Sequence, residues 1–389
     1  MTLCPQCERE IPADAPRSRC PHCLFTTANT PFDSLSSENC ESPDSRYRNE
    51  REISRGGMGR ILLARDEQIG REVAVKELLP ELNIDDSDAP SANATTNPSR
   101  MSKRFVHEAQ VTGQLEHPYI VPVYEIGFRP DRTPFYTMRY VRGRTLSECL
   151  EGSKTLDDRL ALLSNFLHAC QAIAFAHSKS IIHRDLKPSN ILIGEFGETV
   201  VIDWGLAKSL RERTEDTDSL NVSPTAEYEA TRLGEKLGSP YYMAPEQISG
   251  TSQSTDTGTD VFSLGVVLYQ IRSGAKPFEG DDLDGVFDKI LHVEPRRPRS
   301  LDSRIPPDLE QICLRSLSKD ADARYPSARE LALDLERFLN GALVETYNYS
   351  VWERLRRFYR KHRAVVLTGI GAIGVLAIVI AASISRLQP

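Results

Sequence analysis

Asp185, Lys187 and Asn190 stand just ahead of one short β-branched run, 191–193, and Asp203 stands just after a second, 200–202. Between the runs lies a polar turn, Gly194-Glu195-Phe196-Gly197-Glu198. This pattern predicts a hairpin. Pairing its strands would bring the two carboxylates and the amide together beside a lysine. Oxygen ligands of this kind suit a hard divalent cation, since Mg²⁺ takes one or two carboxylates plus substrate phosphates. With Asn190 and Asp203 given to the cation, Asp185 is free to orient a hydroxyl nucleophile. Taken singly, an Asp or Asn here reads as a turn cap; the ordered string is what points to chemistry.

A cation and a phosphate chain need positioning from elsewhere in the chain. Ile53-Ser54-Arg55-Gly56-Gly57-Met58-Gly59-Arg60-Ile61 is a glycine-rich stretch. Such a stretch lets backbone N–H groups approach phosphate oxygens, although glycine pairs also make ordinary turns. Val73-Ala74-Val75-Lys76 reads as a strand ending in a lysine. Helical periodicity over 101–115 carries Glu108, a residue type that is usually a solvated surface charge on a helix. Two further strands are expected over 117–125 and 134–141, and a buried helix over 160–178.

His183-Arg184-Asp185-Leu186-Lys187-Pro188-Ser189-Asn190, then Asp203-Trp204-Gly205, then Ala244-Pro245-Glu246 resembles the catalytic core of eukaryotic-type protein kinases of the bacterial, membrane-anchored kind. The resemblance covers roughly 47–340. It implies an α+β bilobal fold, with a β-rich N-lobe, a mainly α C-lobe and ATP between them. It also implies Mg²⁺, with Mn²⁺ as the alternative ion, held by Asn190 and Asp203. Lys76 would align the α- and β-phosphates with Glu108 as its ion-pair partner. Asp185 would position the protein hydroxyl, and Lys187 would stabilise transferred charge. Ile53, Ser54, Gly56, Gly57, Gly59, Ile61, Ala74, Met138 and Tyr140 would surround the nucleotide, Met138 as gatekeeper. Lys187, two residues after Asp185, resembles the serine/threonine class. Asp260 would hold the catalytic-loop backbone, and Arg324 would pair with Glu246. Arg184 would bind a phosphate on the 203–246 segment, whose middle offers Thr214, Thr217, Ser219, Ser223, Thr225, Tyr228 and Thr231. The implied activity is transfer of the ATP γ-phosphate to protein Ser/Thr hydroxyls, with autophosphorylation and a place in membrane-proximal signalling. Ser54 stands where the family has glycine, and Arg139 where an acidic residue is common. These two departures are the only support for a competing reading, a membrane-tethered pseudokinase scaffold.

The rest of the chain reads as modules around 47–340. Cys4-Pro5-Gln6-Cys7 and Cys20-Pro21-His22-Cys23 make two knuckles 12 residues apart in 1–28. They suit a closed tetrahedral Zn²⁺ site and resemble a zinc ribbon with an unidentified partner; a disulfide pair and a redox motif are the rivals. Residues 29–46 read as a flexible linker, and 81–100 as an insertion. Cys40, Cys149, Cys170 and Cys313 read as plain thiols of a reducing compartment. The last helix is expected to start at Ser327 with Glu330 in a capping box. Residues 341–363 form a basic juxtamembrane segment with Arg354, Arg356, Arg357, Arg360, Lys361 and Arg363. The next 21 residues, 364–384, carry no charge, enough to span a hydrocarbon core of about 30 Å as a helix; a buried core helix is the alternative. Only Arg386 follows, in the 385–389 tail, so the positive-inside bias puts the N-terminus and kinase region in the cytoplasm, on a single-pass anchor. No cleavable signal peptide is expected. A net charge of −7 argues against general nucleic-acid binding.

Overall fold

The computed structural model describes residues 2–3, 10–11, 46–82, 100–209, 240–249, 256–280, 282–354, 368 and 374. The chain divides into two compact units, Met1–Arg46 and Tyr47–Pro389. In the first unit, β1 (Thr2–Leu3) and β2 (Glu10–Ile11) pair antiparallel, Thr2 opposite Ile11. The four knuckle cysteines, residues 29–45 of the 29–46 linker, 83–99 of the 81–100 insertion and 210–239 of the 203–246 segment lie outside the described residues. So does 364–384, apart from Thr368 and Gly374.

The second unit opens with a five-stranded antiparallel sheet. Its strands are β3 (Tyr47–Arg55), β4 (Gly59–Asp66), β5 (Arg71–Leu78), β6 (Val123–Phe128) and β7 (Pro134–Arg139), in the order β3-β4-β5-β7-β6. Strand alternation gives the sheet two apolar faces. Val73, Val75, Leu62 and Phe135 pack on one; Ala74, Leu78, Tyr136 and Met138 pack on the other. Helix α1 (Arg100–Gly113) covers the second face with Phe105 and Ala109.

The expectation of a strand over 117–125 is corrected: β6 begins only at Val123. Pro118 and Pro122 have no N–H to give to a ladder. His117–Ile120 closes instead as a turn, Ile120 N–H donating to the His117 carbonyl at 3.0 Å. The segment is then stitched across to the C-lobe, Val121 N–H to the Val201 carbonyl and Val201 N–H to the Tyr119 carbonyl.

β8 (Gly143–Thr145) leads into the C-lobe, where α2 (Leu146–Gly152) starts at a Thr145–Glu148 capping box. The helix expected over 160–178 forms as α4 (Leu163–Ser178), three residues later at its start, and a short α3 (Leu156–Leu160) precedes it. Together Leu156–Ser178 are long and apolar enough to cross a membrane, but Phe166, Ala169, Cys170 and Ile173 are fully buried in the C-lobe core. That burial marks a core helix pair. β9 (Ile181–Ile182) precedes the predicted hairpin, which forms as expected: β10 (Ile191–Gly194) pairs with β11 (Thr199–Val201), Ile191 opposite Val201. β12 (Lys208–Ser209) returns to β9.

The C-lobe is completed by α5 (Pro245–Ile248), α6 (Thr257–Ser273), α7 (Leu283–His292), α8 (Pro298–Leu301), α9 (Pro307–Ser316) and α10 (Ala328–Leu339). Helix α6 is buried nearly all round, with Val261, Phe262, Leu264, Val266, Val267 and Leu268 at zero exposure, as befits a helix at the centre of a core. Asp256 caps its start, accepting from Gly258 N–H, and Gly274 ends it at φ +75°. Ser327 caps α10, accepting from Glu330 N–H, and the chain turns at Gly341 with φ +66°.

Candidate active site

Glu108 lies on the buried stripe of α1 with Phe105, Ala109 and Thr112, at helical spacing of three and four. A carboxylate there must be paired. Lys76 Nζ meets Glu108 Oε1 at 2.5 Å, and Tyr136 Oη donates to the same oxygen at 2.7 Å. Burial, with Glu108 beside it, raises the Tyr136 pKa well above its ordinary value, so Tyr136 stays a neutral donor. Lys76 also reaches Asp203 Oδ1 at 3.1 Å. Burial alone would lower the Lys76 pKa, but Asp203 and Glu108 outweigh it and hold the ammonium charged. Lys76 in turn holds the Asp203 carboxyl down to about 2, with Lys187 adding to the effect. This carboxylate remains half-exposed, facing solvent where a cation could approach.

Sheet register sets the remaining N-lobe candidates. Ser54 opposes Ile61, Ile61 opposes Lys76, and Lys76 opposes Tyr136. Two residues back along β5, Ala74 opposes Met138. Ala74 and Met138 are buried, with Ile61, Tyr140, Leu192 and Ile202 packed beside them. Ile53 is exposed on β3. At the loop, Gly56 N–H donates to the Gly59 carbonyl at 2.8 Å. A Cβ on Gly59 would stand 2.6 Å from the Glu77 carbonyl oxygen, so only glycine lets β4 start this close to β5.

The catalytic-loop candidates hang from α6. Asp260, wholly buried, accepts from His183 N–H, Arg184 N–H and His177 Nε2, each at 2.8 Å. Burial pushes its pKa up, but these bonds, His177 first, bring it below the ordinary value. Asp185 N–H donates to His183 Nδ1 at 3.3 Å, so the ring proton sits on Nε2, 3.3 Å from the Ile202 carbonyl. Trp204 packs against the His183 ring in a tilted arrangement, ring centroids 4.6 Å apart and planes 46° to each other. Arg184 at φ +69° and Asp203 at φ +63° are both left-handed non-glycine residues. Such backbone costs roughly 1–3 kcal/mol and persists where surrounding contacts over-determine it.

Within the loop, Lys187 Nζ lies 2.9 Å from Asp185 Oδ2. Asn190 Nδ2 donates to the Asp185 carbonyl at 2.8 Å, and Ile202 N–H donates to the Asn190 carbonyl at 3.0 Å. Asp185, Lys187, Asn190 and Asp203 are thus gathered at one end of the β10–β11 hairpin, and Lys76 with Glu108 reaches them from the N-lobe. The oxygen donors present fit a hard divalent cation.

A family model for the protein kinase domain matches residues 47–334. The chain belongs to this family. It is 37% identical over 304 residues to serine/threonine-protein kinase PknD of Protochlamydia amoebophila, covering 74% of this chain and 29% of that protein. The likeness to PknD of Chlamydia pneumoniae is 37% over 316 residues, 76% of this chain and 31% of the relative. PknD of Chlamydia trachomatis is 35% identical over 348 residues, 83% and 35%. The chain therefore spans about a third of the length of these curated relatives. The kinase family implies use of ATP and Mg²⁺, which the donor set above accommodates.

Three positioning residues of this kinase fold were not singled out from sequence. Tyr136 was foreseeable from alternation, because it stands two residues before Met138 and opposite Lys76. Gln247 donates to the Arg184 carbonyl at 2.9 Å and accepts from Ala244 N–H, tying the Ala244-Pro245-Glu246 turn to the catalytic loop. His177 closes the shell of Asp260. These two contacts span 63 and 83 residues, beyond any local pattern. Arg139 pairs with Glu198 at 3.4 Å on the surface.

Proposed function

We propose that this chain is a serine/threonine protein kinase that transfers the ATP γ-phosphate to Ser and Thr hydroxyls of proteins, itself included. The observation that carries the reading is the chain of pairs from Glu108 through Lys76 to Asp203, with Asp185 and Lys187 beside it. In this reading Lys76 holds the phosphates, and Asn190 and Asp203 hold Mg²⁺, which when bound neutralises charge on the phosphate oxygens. Ala74, Met138, Ile61 and Tyr140, with Leu192 and Ile202, supply the apolar walls for adenine. Asp185 orients the incoming hydroxyl and takes its proton. The hydroxyl oxygen forms a bond to the γ-phosphorus as the bond to the ADP oxygen breaks, and Lys187 steadies the charge. Catalysis of this kind is positioning and electrostatics. The test is phosphate transfer from labelled ATP, with and without Mg²⁺. Mg²⁺-dependent labelling of Ser or Thr is expected; a folded protein that binds Mg-ATP but labels nothing, even after phosphorylation of the 210–239 stretch, would replace the kinase with a scaffold.

Two further modules belong to the proposal. Cys4, Cys7, Cys20 and Cys23 hold a structural Zn²⁺ that organises 1–28. In sequence the first knuckle falls between Leu3 and Glu10, which β1 and β2 pair with each other. Chelation is expected to release zinc and open these four thiols to alkylation while phosphate transfer continues. Loss of both together would instead make the ribbon part of the catalytic fold. Residues 364–384 form a single membrane span with the kinase domain on the cytoplasmic side. Deleting 364–389 is expected to move the chain to the soluble fraction, and unchanged sedimentation with membranes would show another anchor.

A further inference from the structure

Packing of the C-lobe continues past α10. Asp334 on α10 is 1% exposed, yet five donors converge on it. Two come from nearby, Tyr325 Oη and Arg337 Nη1, each at 2.9 Å. Three come from the chain beyond the helix: Glu345 N–H at 3.0 Å, Thr346 N–H at 3.3 Å and the Thr346 hydroxyl. A second buried carboxylate, Asp308 on α9, accepts from Tyr349 Oη at 3.0 Å, and Tyr349 Oη accepts from Val344 N–H at 3.1 Å. Val344 and Tyr349 are buried in the C-lobe core. Residues 344–349 are therefore a strap held by two interior carboxylates.

The strap delivers the chain to a defined point. Ser350 N–H donates to Glu353 Oε2 at 2.8 Å and Glu353 N–H to Ser350 Oγ at 3.3 Å, a capping box that starts a helical turn at 351–354. Tyr347 Oη donates to Glu353 Oε1 at 3.1 Å and ties that turn back to the strap. On this fixed turn, Val351 is 81% and Trp352 is 79% exposed. The sequence that follows changes sign: the whole chain carries −7, but 354–363 holds six Lys and Arg and no acid. Leu355, Phe358 and Tyr359 continue the apolar pair at steps of three, four and seven. Apolar residues at helical spacing with basic residues between them suit the boundary of an anionic bilayer.

We propose that Val351 and Trp352 seat in the headgroup region of an anionic lipid surface. Because the strap fixes them to α9 and α10, the kinase domain is docked on the membrane through its C-lobe and does not swing on a loose tether. The proposal rests on the span reading of 364–384 only for delivery to the bilayer. The occupant is lipid because charge complementarity selects it: a second copy of this chain brings the same basic run.

The full chain, reconstituted into vesicles of phosphatidylcholine with or without phosphatidylglycerol, tests this with brominated acyl chains as the quencher. The chain has two tryptophans, and Trp204 is buried, so the difference between wild type and Trp352→Phe isolates Trp352 emission. Bromolipid is expected to remove most of that emission in the phosphatidylglycerol vesicles, and iodide to remove little. Emission open to iodide and untouched by bromolipid there would overturn the contact. Emission shielded from both would overturn it in favour of a protein partner. Release of the chain by alkaline carbonate would refute the span alone, since the quenching is read before the wash.

Discussion

Asp185→Asn is expected to lower the single-turnover rate of phosphate transfer by about 10²–10⁴-fold, the usual contribution of a positioned acid–base group. The change keeps shape and removes the charge that orients and deprotonates the hydroxyl. It should leave the loop in place, because the supports run elsewhere. Asn190 Nδ2 is 2.8 Å from the Asp185 backbone carbonyl, Asp185 N–H donates to His183, and Asp260 holds His183 and Arg184. The Lys187 pair is lost, but it is partly open to solvent, so its share of stability is about 1 kcal/mol or less. Nucleotide affinity should hardly move, since the phosphates are given to Lys76. The informative comparison is therefore rate against nucleotide affinity and thermal stability in one preparation. A rate loss matched by a fall in melting temperature would assign Asp185 a structural part; an unchanged rate would remove it from the mechanism.

The site was legible where chemistry and local pattern coincide. The β-branched runs around 194–198 announce the hairpin, and the hairpin alone gathers Asp185, Asn190 and Asp203. Lys76 and Glu108 were legible only as members of an ordered set, since neither a strand-end lysine nor a helix glutamate is distinctive alone. What the structure adds is the hidden support. Asp260 was expected to hold the loop, but the third donor, His177, comes from 83 residues away. Tyr136 shares Glu108 with Lys76, a contact set by strand register. The 117–125 stretch misled because its β-branched and aromatic residues suit a strand but two prolines spoil the ladder. The strap over 344–349 carries no periodicity: Asp334 and Asp308 hold it through single hydroxyls and backbone N–H groups, which composition cannot show.

Arg324→Met is expected to destabilise the C-lobe by about 3 kcal/mol at neutral pH, the lower end of what breaking a buried pair costs. Arg324 is fully buried and grips Glu246 with both terminal nitrogens, at 2.8 and 3.0 Å. It also donates to the carbonyls of Gly258, Ser318 and Lys319, and lies over the Phe262 ring. Methionine keeps much of the volume but leaves Glu246 charged with, among the described residues, only Thr259 Oγ1 as a donor side chain, at 2.8 Å. The pH dependence separates the two losses. Burial pushes the Glu246 pKa up, but the Arg324 bonds bring it below the ordinary value. A carboxyl lowered on folding contributes stability that is full above its unfolded pKa of about 4.3 and is lost as pH falls through the folded value. In the variant burial acts unopposed by the arginine, so Glu246 takes up its proton at higher pH and no longer needs a cation. The stability gap between wild type and variant should therefore narrow as pH is lowered toward the carboxylate range. Denaturation measured at neutral pH and again just above that range decides it: a gap of constant size would place the loss in the three carbonyl bonds and not in the ion pair. Activity should fall further than stability alone requires. Glu246 precedes Gln247, whose bond to the Arg184 carbonyl ties this turn to the loop that carries Asp185, so loosening the pair loosens the catalytic loop.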